Sequence, residues 1–98
     1  MKITYGIIVL NGDFLLRQVL ESIYDSAHAI CIAEGSVSYW NSQGVTNSTD
    51  DTLKIIKEFP DKENKIKLIS GTWKEKTEQC QAWFNLVPND TDYVWCVD

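Results

Sequence analysis

The chain of 98 residues predicts an α/β domain: a parallel sheet with right-handed crossovers and helices on both faces. Three observations carry the prediction. Four short runs rich in β-branched and aromatic residues begin near positions 3, 29, 66 and 92. Stretches with apolar residues at helical spacing separate them. The runs are also apolar without alternation, as expected of strands covered on both faces.

The first run, Ile3 to Leu10, is nearly continuous and ends at Asn11-Gly12-Asp13, where Asp13 is suited to cap a helix. Leu15, Leu16, Val19, Leu20 and Ile23 then give residues 14–25 one apolar stripe, the pattern of an amphipathic helix. Ala29 to Ala33 forms a second strand that ends at Glu34-Gly35-Ser36, and residues 37–47, without periodicity, read as a loop. Ser48 and Asp51 have the spacing of a capping box ahead of a helix with Leu53, Ile56 and Phe59 inward, closed by Pro60. Asp61 to Lys65 reads as a solvated charged turn, followed by a strand over Ile66 to Ile69 that ends at Ser70-Gly71-Thr72. Thr72 and Glu75 make a second candidate capping box, with Trp73, Thr77, Cys80, Phe84 and Val87 on one helical face up to Pro88. After the turn Asn89 to Asp92, Tyr93 to Val97 supplies the fourth strand.

Composition narrows the function classes. A net charge of -5 argues against non-specific binding of nucleic acid, which needs clustered Lys and Arg. A phosphorylated ligand stays open, because a divalent metal can bridge carboxylates and phosphates. No apolar run approaches the ~18 residues of a membrane span, and the opening residues lack the pattern of a signal peptide. Cys31, Cys80 and Cys96 are far apart and read as buried small hydrophobes of a reduced, cytoplasmic protein, which leaves the acceptor triplets at Asn47 and Asn89 without meaning. Four Trp, four Tyr and three Phe predict a substantial core. The final residue, Asp98, directly follows an apolar strand, so the chain is expected to be a fragment of a larger domain.

Open parallel sheets bind ligands outside the carboxyl ends of their strands. That rule selects Asn11-Gly12-Asp13, Glu34-Gly35-Ser36, Ser70-Gly71-Thr72 and Asp98. Each has a plain structural reading beside the functional one: Asp13, Asp50 and Asp51 as helix caps, Glu34 as a solvated loop residue, Lys76 as part of an exposed helix face. His28, the one histidine, has no Ser or Cys partner in view, and Tyr39 and Trp40 either stack on a base or anchor their loop. No GxGxxG follows the first strand and no GxxxxGK[ST] occurs, which disfavours dinucleotide and P-loop sites.

Taken in order, these segments resemble the N-terminal half of a family 2 glycosyltransferase of the GT-A fold. The likeness runs from the Asn11 turn through Ala33-Glu34-Gly35-Ser36 (where the family usually has Asp-Asp-Gly-Ser) and Ser48-Thr49-Asp50-Asp51-Thr52, to the helix from Lys76 and the strand Tyr93 to Asp98. It implies a Rossmann-like sheet of order 3-2-1-4, part of a GT-A domain that binds a nucleoside-diphosphate sugar and transfers the sugar to an acceptor hydroxyl. It places Leu10 and Asn11 beside the nucleobase, Glu34 and Ser36 at the base or ribose, and Lys76 near the diphosphate. Asp98 becomes the first carboxylate of an Asp-x-Asp motif, holding Mg²⁺ or Mn²⁺. The chain departs from the family at Ala33, in an insertion between Ser36 and Ser48, and in Gln79, Gln81 and Trp83 where a basic, Asn-bearing stretch is usual. Two other readings stand beside it: a non-catalytic α/β binding domain, and a nucleotidyltransferase, which usually carries a Gly-rich basic loop that Asn11-Gly12-Asp13-Phe14 lacks. An open sheet edge at the fourth strand would permit a homo-oligomer.

Overall fold

The computed structural model describes residues 1–44 and 46–97. The elements run β1 (Ile3–Val9), α1 (Asp13–Ile23), β2 (Ala27–Val37), α2 (Ser38–Ser42), α3 (Thr52–Glu58), β3 (Ile66–Trp73), α4 (Lys76–Phe84) and β4 (Tyr93–Val97). The strands form one sheet of order β3-β2-β1-β4 in which every pairing is parallel, the Rossmann-like arrangement the sequence predicts. Among the described residues no helix is long and apolar enough to cross a membrane.

The two faces of β2 carry two cores. On one side Ile30 and Ile32, fully buried, pack with Leu16 and Leu20 of α1 and with Ile55, Ile56 and Phe59 at α3. On the other, Cys31 and Ala33 meet Trp83 of α4, with Ile8, Ile69 and Trp73 around them. Alternate residues of a strand point to opposite faces, so the middle of β2, Ile30 to Ala33, covered on both faces, is apolar without alternation. Burial pushes the Cys31 thiol up to about 11, which keeps it protonated and inert.

Several local expectations are corrected. α1 begins at Asp13 with Gly12 in the cap position, and Leu15 is 53% exposed, so the inward stripe is Leu16, Val19, Leu20 and Ile23. Residues 38–42 form the short helix α2 where a loop is expected. Neither capping box forms. Ser48 Oγ accepts the Asn11 amide, and β3 runs on through Thr72 and Trp73 because they pair with Ser36 and Val37. The aromatic residues do not all enter the core: Trp83 is 4% exposed, but Trp40, Phe84, Tyr93 and Trp95 lie about half exposed or more. Cys96 is exposed too, since β4 is an edge strand paired only with β1.

The stripe of α4 is rotated from the expected one. Gln79, not Cys80, takes the fully buried position, because its Nε2 donates to the carbonyls of Ala33 (3.0 Å) and Gly35 (3.2 Å). β1 pairs with β2 only as far as Glu34, so the amide satisfies carbonyls near the end of that ladder. One turn later Trp83 is carried inward and Phe84 outward.

The turn after α3 is a clasp rather than a solvated run. Asp61 accepts the Tyr24 hydroxyl (2.6 Å) and the amides of Lys65 (2.7 Å) and Ile66 (3.0 Å). Partial burial alone would raise its carboxyl; the hydrogen bonds from Tyr24, Ile66 and Lys65 outweigh that and hold it below its ordinary range.

At the amino ends of the strands Asp90 binds Lys2 (3.0 Å) and His28 (2.8 Å). His28 is thereby tied to the edge of the sheet opposite the strands' carboxyl ends. The hydrogen bond from Lys2, then that from His28, holds the Asp90 carboxyl down at about 2. A depressed carboxylate contributes stability above its unfolded value of about 3.9 and loses it as pH falls through the folded value. Asp90→Asn is therefore expected to lower the melting temperature slightly at pH 6, with the gap to the parent closing between about pH 4 and pH 2. Thermal melts of both proteins across that range check it.

Candidate functional site

The chain leaves β1 through Leu10 and Asn11, and Asn11 sits at φ 53°, a left-handed conformation that Asn tolerates better than most residues. Its side chain does more than permit the turn. Asn11 Oδ1 accepts the amides of Thr49 (2.7 Å) and Asp50 (3.4 Å), while its own amide donates to Ser48 Oγ (3.0 Å). Gly12 N donates to Thr52 Oγ1 (3.0 Å) and Asp13 N to Asp50 Oδ2 (3.2 Å). Asp50 in turn takes the amide (2.9 Å) and hydroxyl (2.5 Å) of Thr52, so it serves the start of α3 as expected. Burial opposes its ionised form, yet the bonds from Thr52 and Asp13 keep its carboxyl below the usual range.

This bracket ties the first βα turn to the segment before α3 and fixes the rim of the sheet's carboxyl edge. A cavity of about 480 Å³ opens there, lined by Ile8, Val9, Leu10 and Asn11, by Gly35 and Val37 at the end of β2, by Trp40 of α2, and by Lys76 and Gln79 of α4. It lies beside β1, the strand at which the sheet order reverses, where open α/β sheets hold their ligands. Lys76 and Gln79, one helical turn apart, both face it from the N-terminal turn of α4. Lys76 makes no ion pair with a described residue, so its ammonium is available to an anion.

The sequence-predicted residues divide. Leu10, Asn11 and Lys76 come together on this cavity. Glu34 and Ser36 are buried within β2 at 0% and 1% exposure and are not among the cavity's lining residues. The Glu34 carboxylate accepts the Ser48 amide (2.5 Å) and Asn47 Nδ2 (3.2 Å), which anchors the segment that Asn11 also holds. The solvated-loop reading of Glu34 is thereby corrected. Ser36 Oγ is buried without a hydrogen-bond partner among the described residues. Asp98 lies outside the described residues.

Sequence reasoning did not select Gln79 as a lining group, and it left Trp40 open between stacking on a base and anchoring its loop. The spacing of Gln79 from Lys76 would have signalled a shared helical face, and Gly35 belongs to a strand-end triplet already in view. Trp40 had no periodic pattern around it to place it. A second cavity, of about 440 Å³, lies between α1 and α3, lined by Asp13, Phe14, Arg17, Asp51, Lys54, Ile55 and Glu58.

Among the described residues no group of three or more His, Cys, Asp or Glu side chains could hold a metal ion. The described residues thus do not by themselves fit the Mg²⁺ or Mn²⁺ expected from the resemblance. The cavity instead offers one cation, one buried amide, an aromatic ring and an aliphatic wall. In comparison with known proteins, no family model, no curated protein and no solved structure matches this chain.

Proposed function

We propose that the crevice at the carboxyl ends of β1 and β2 binds a nucleoside-diphosphate sugar, and that the chain is the donor-binding part of a glycosyltransferase of the family 2, GT-A type. One observation carries the reading: Leu10, Asn11 and Lys76, which the resemblance assigns to the donor, line one cavity large enough for part of a nucleotide. Lys76 and the first turn of α4 would face the diphosphate, where an ammonium and free helix amides both favour an anion.

Transfer would form a bond from an acceptor hydroxyl oxygen to the anomeric carbon and break the bond from that carbon to the diphosphate, releasing the nucleoside diphosphate. The hydroxyl proton needs a base, and none of the described residues is assigned that part. Mg²⁺ or Mn²⁺ would be held by Asp98 and the ligand's own phosphate oxygens and would neutralise the diphosphate. A cytoplasmic setting accords with three cysteines that no disulfide joins, and a homo-oligomer would use the open edge of β4.

Calorimetry with UDP-, GDP- and dTDP-sugars, with and without Mn²⁺, tests the reading. Binding of at least one donor is expected, with Lys76→Ala weakening it by about 10-fold, the scale of one charge-assisted contact. No binding of any of them under either condition would sink it.

A further inference from the structure

We propose that Trp40 is the stacking platform for the base of the bound nucleotide, so that α2 selects a planar ring for the crevice; this rests on the nucleotide reading above. α2 spans five residues and is tied down on both sides: Ser38 N donates to the Lys74 carbonyl (3.2 Å) and Ser36 N to the Thr46 carbonyl (2.9 Å). The helix is thus mounted on the ends of β2 and β3, and it presents Trp40 to the cavity. Trp40 stays 48% exposed there, whereas Trp83 on the same side of the sheet is 4% exposed. A large indole left half in water beside an open cavity gains when a flat apolar partner covers it.

The remaining walls suit the same occupant. Ile8 and Val37 give an aliphatic side, and Gly35 adds no side chain. Lys76 supplies a cation in the same space, so a ring on Trp40 and a phosphate at Lys76 would share one molecule. Aromatic stacking tolerates any base, since every base has a π face. Trp40 therefore sets a requirement for a ring, while other contacts choose which ring.

The test uses the whole chain with UDP, UDP-glucose and pyrophosphate as probes. Trp40→Ala is expected to weaken UDP about 10- to 100-fold and to leave pyrophosphate unchanged. Trp40→Phe, which keeps a ring, is expected to hold UDP within about 5-fold of the parent while losing the quenching of indole emission that UDP causes. Circular dichroism and melting verify that both variants fold. UDP affinity unchanged in Trp40→Ala overturns the stacking proposal and leaves the nucleotide reading intact. Loss confined to UDP-glucose also overturns it, since the ring would then be the sugar's neighbour. Failure of the parent protein to bind any of the three overturns both.

Discussion

Gly35→Ala is expected to cost more than about 3 kcal/mol of stability and to abolish ligand binding in the crevice. Gly35 sits at φ 140°, a region that L side chains rarely adopt. A β-carbon there would lie 1.7 Å from the Gly71 carbonyl oxygen and 2.8 Å from its carbon. These atoms belong to the paired backbone of β3, which cannot move aside without breaking the β2–β3 ladder at the cavity's edge. Gly71, directly opposite, is the control: an added β-carbon would meet nothing nearer than the Trp73 ring at 3.5 Å. Gly71→Ala is expected to change stability by less than about 1 kcal/mol. Denaturant unfolding of the two variants checks the contrast, and equal effects would contradict it.

The second large effect lies under α4. The Trp83 ring covers Gly6 so closely that a β-carbon on Gly6 would come within 2.3 Å of three ring carbons. Gly6→Ala is expected to destabilise by about 3 kcal/mol, because β1 is pinned between β2 and β4 and the buried ring has no free space to enter. Trp83→Ala is expected to cost about 3–5 kcal/mol, as removal of a large buried side chain does. Trp83 Nε1 has no hydrogen-bond partner among the described residues, so Trp83→Phe, which removes that donor, is expected to cost much less. The two sites are coupled: Gly6→Ala combined with Trp83→Leu should be more stable than the sum of the single effects by about 1–3 kcal/mol. Additive behaviour in the double variant would mean that ring and strand are not in the contact described.

Much of this architecture was legible in the chain. β2, buried on both faces, leaves an unbroken apolar run, and Leu16, Val19, Leu20 and Ile23 keep helical spacing, so the alternation of elements follows from local pattern; β4 carries the same kind of run although Tyr93, Val94 and Trp95 are exposed. The strand-end rule likewise selects Asn11 and Gly35, and the resemblance adds Leu10. What was not legible depends on partners distant in sequence. Gln79 turns inward because two carbonyls of β2 accept its amide, and no pattern within α4 announces that. Glu34 is buried because the Ser48 amide and Asn47 reach it across the fold, while a lone carboxylate at a strand end otherwise defaults to water. α2 carries no apolar stripe; it is held by backbone bonds to the strand ends, so the sequence offers Trp40 as a base-stacking or loop-anchoring residue without placing it at the cavity.

The proposed function requires that this chain bind a nucleotide at the carboxyl ends of β1 and β2. Titrating isotope-labelled protein with UDP while recording amide and indole NMR signals tests it most directly. The expected result is saturable shifts at Leu10, Asn11, Gly35, Lys76 and Gln79, together with the Trp40 indole, and little change around Asp13, Arg17 and Glu58. Shifts concentrated instead in the α1–α3 cavity, or none at any UDP concentration, would contradict it.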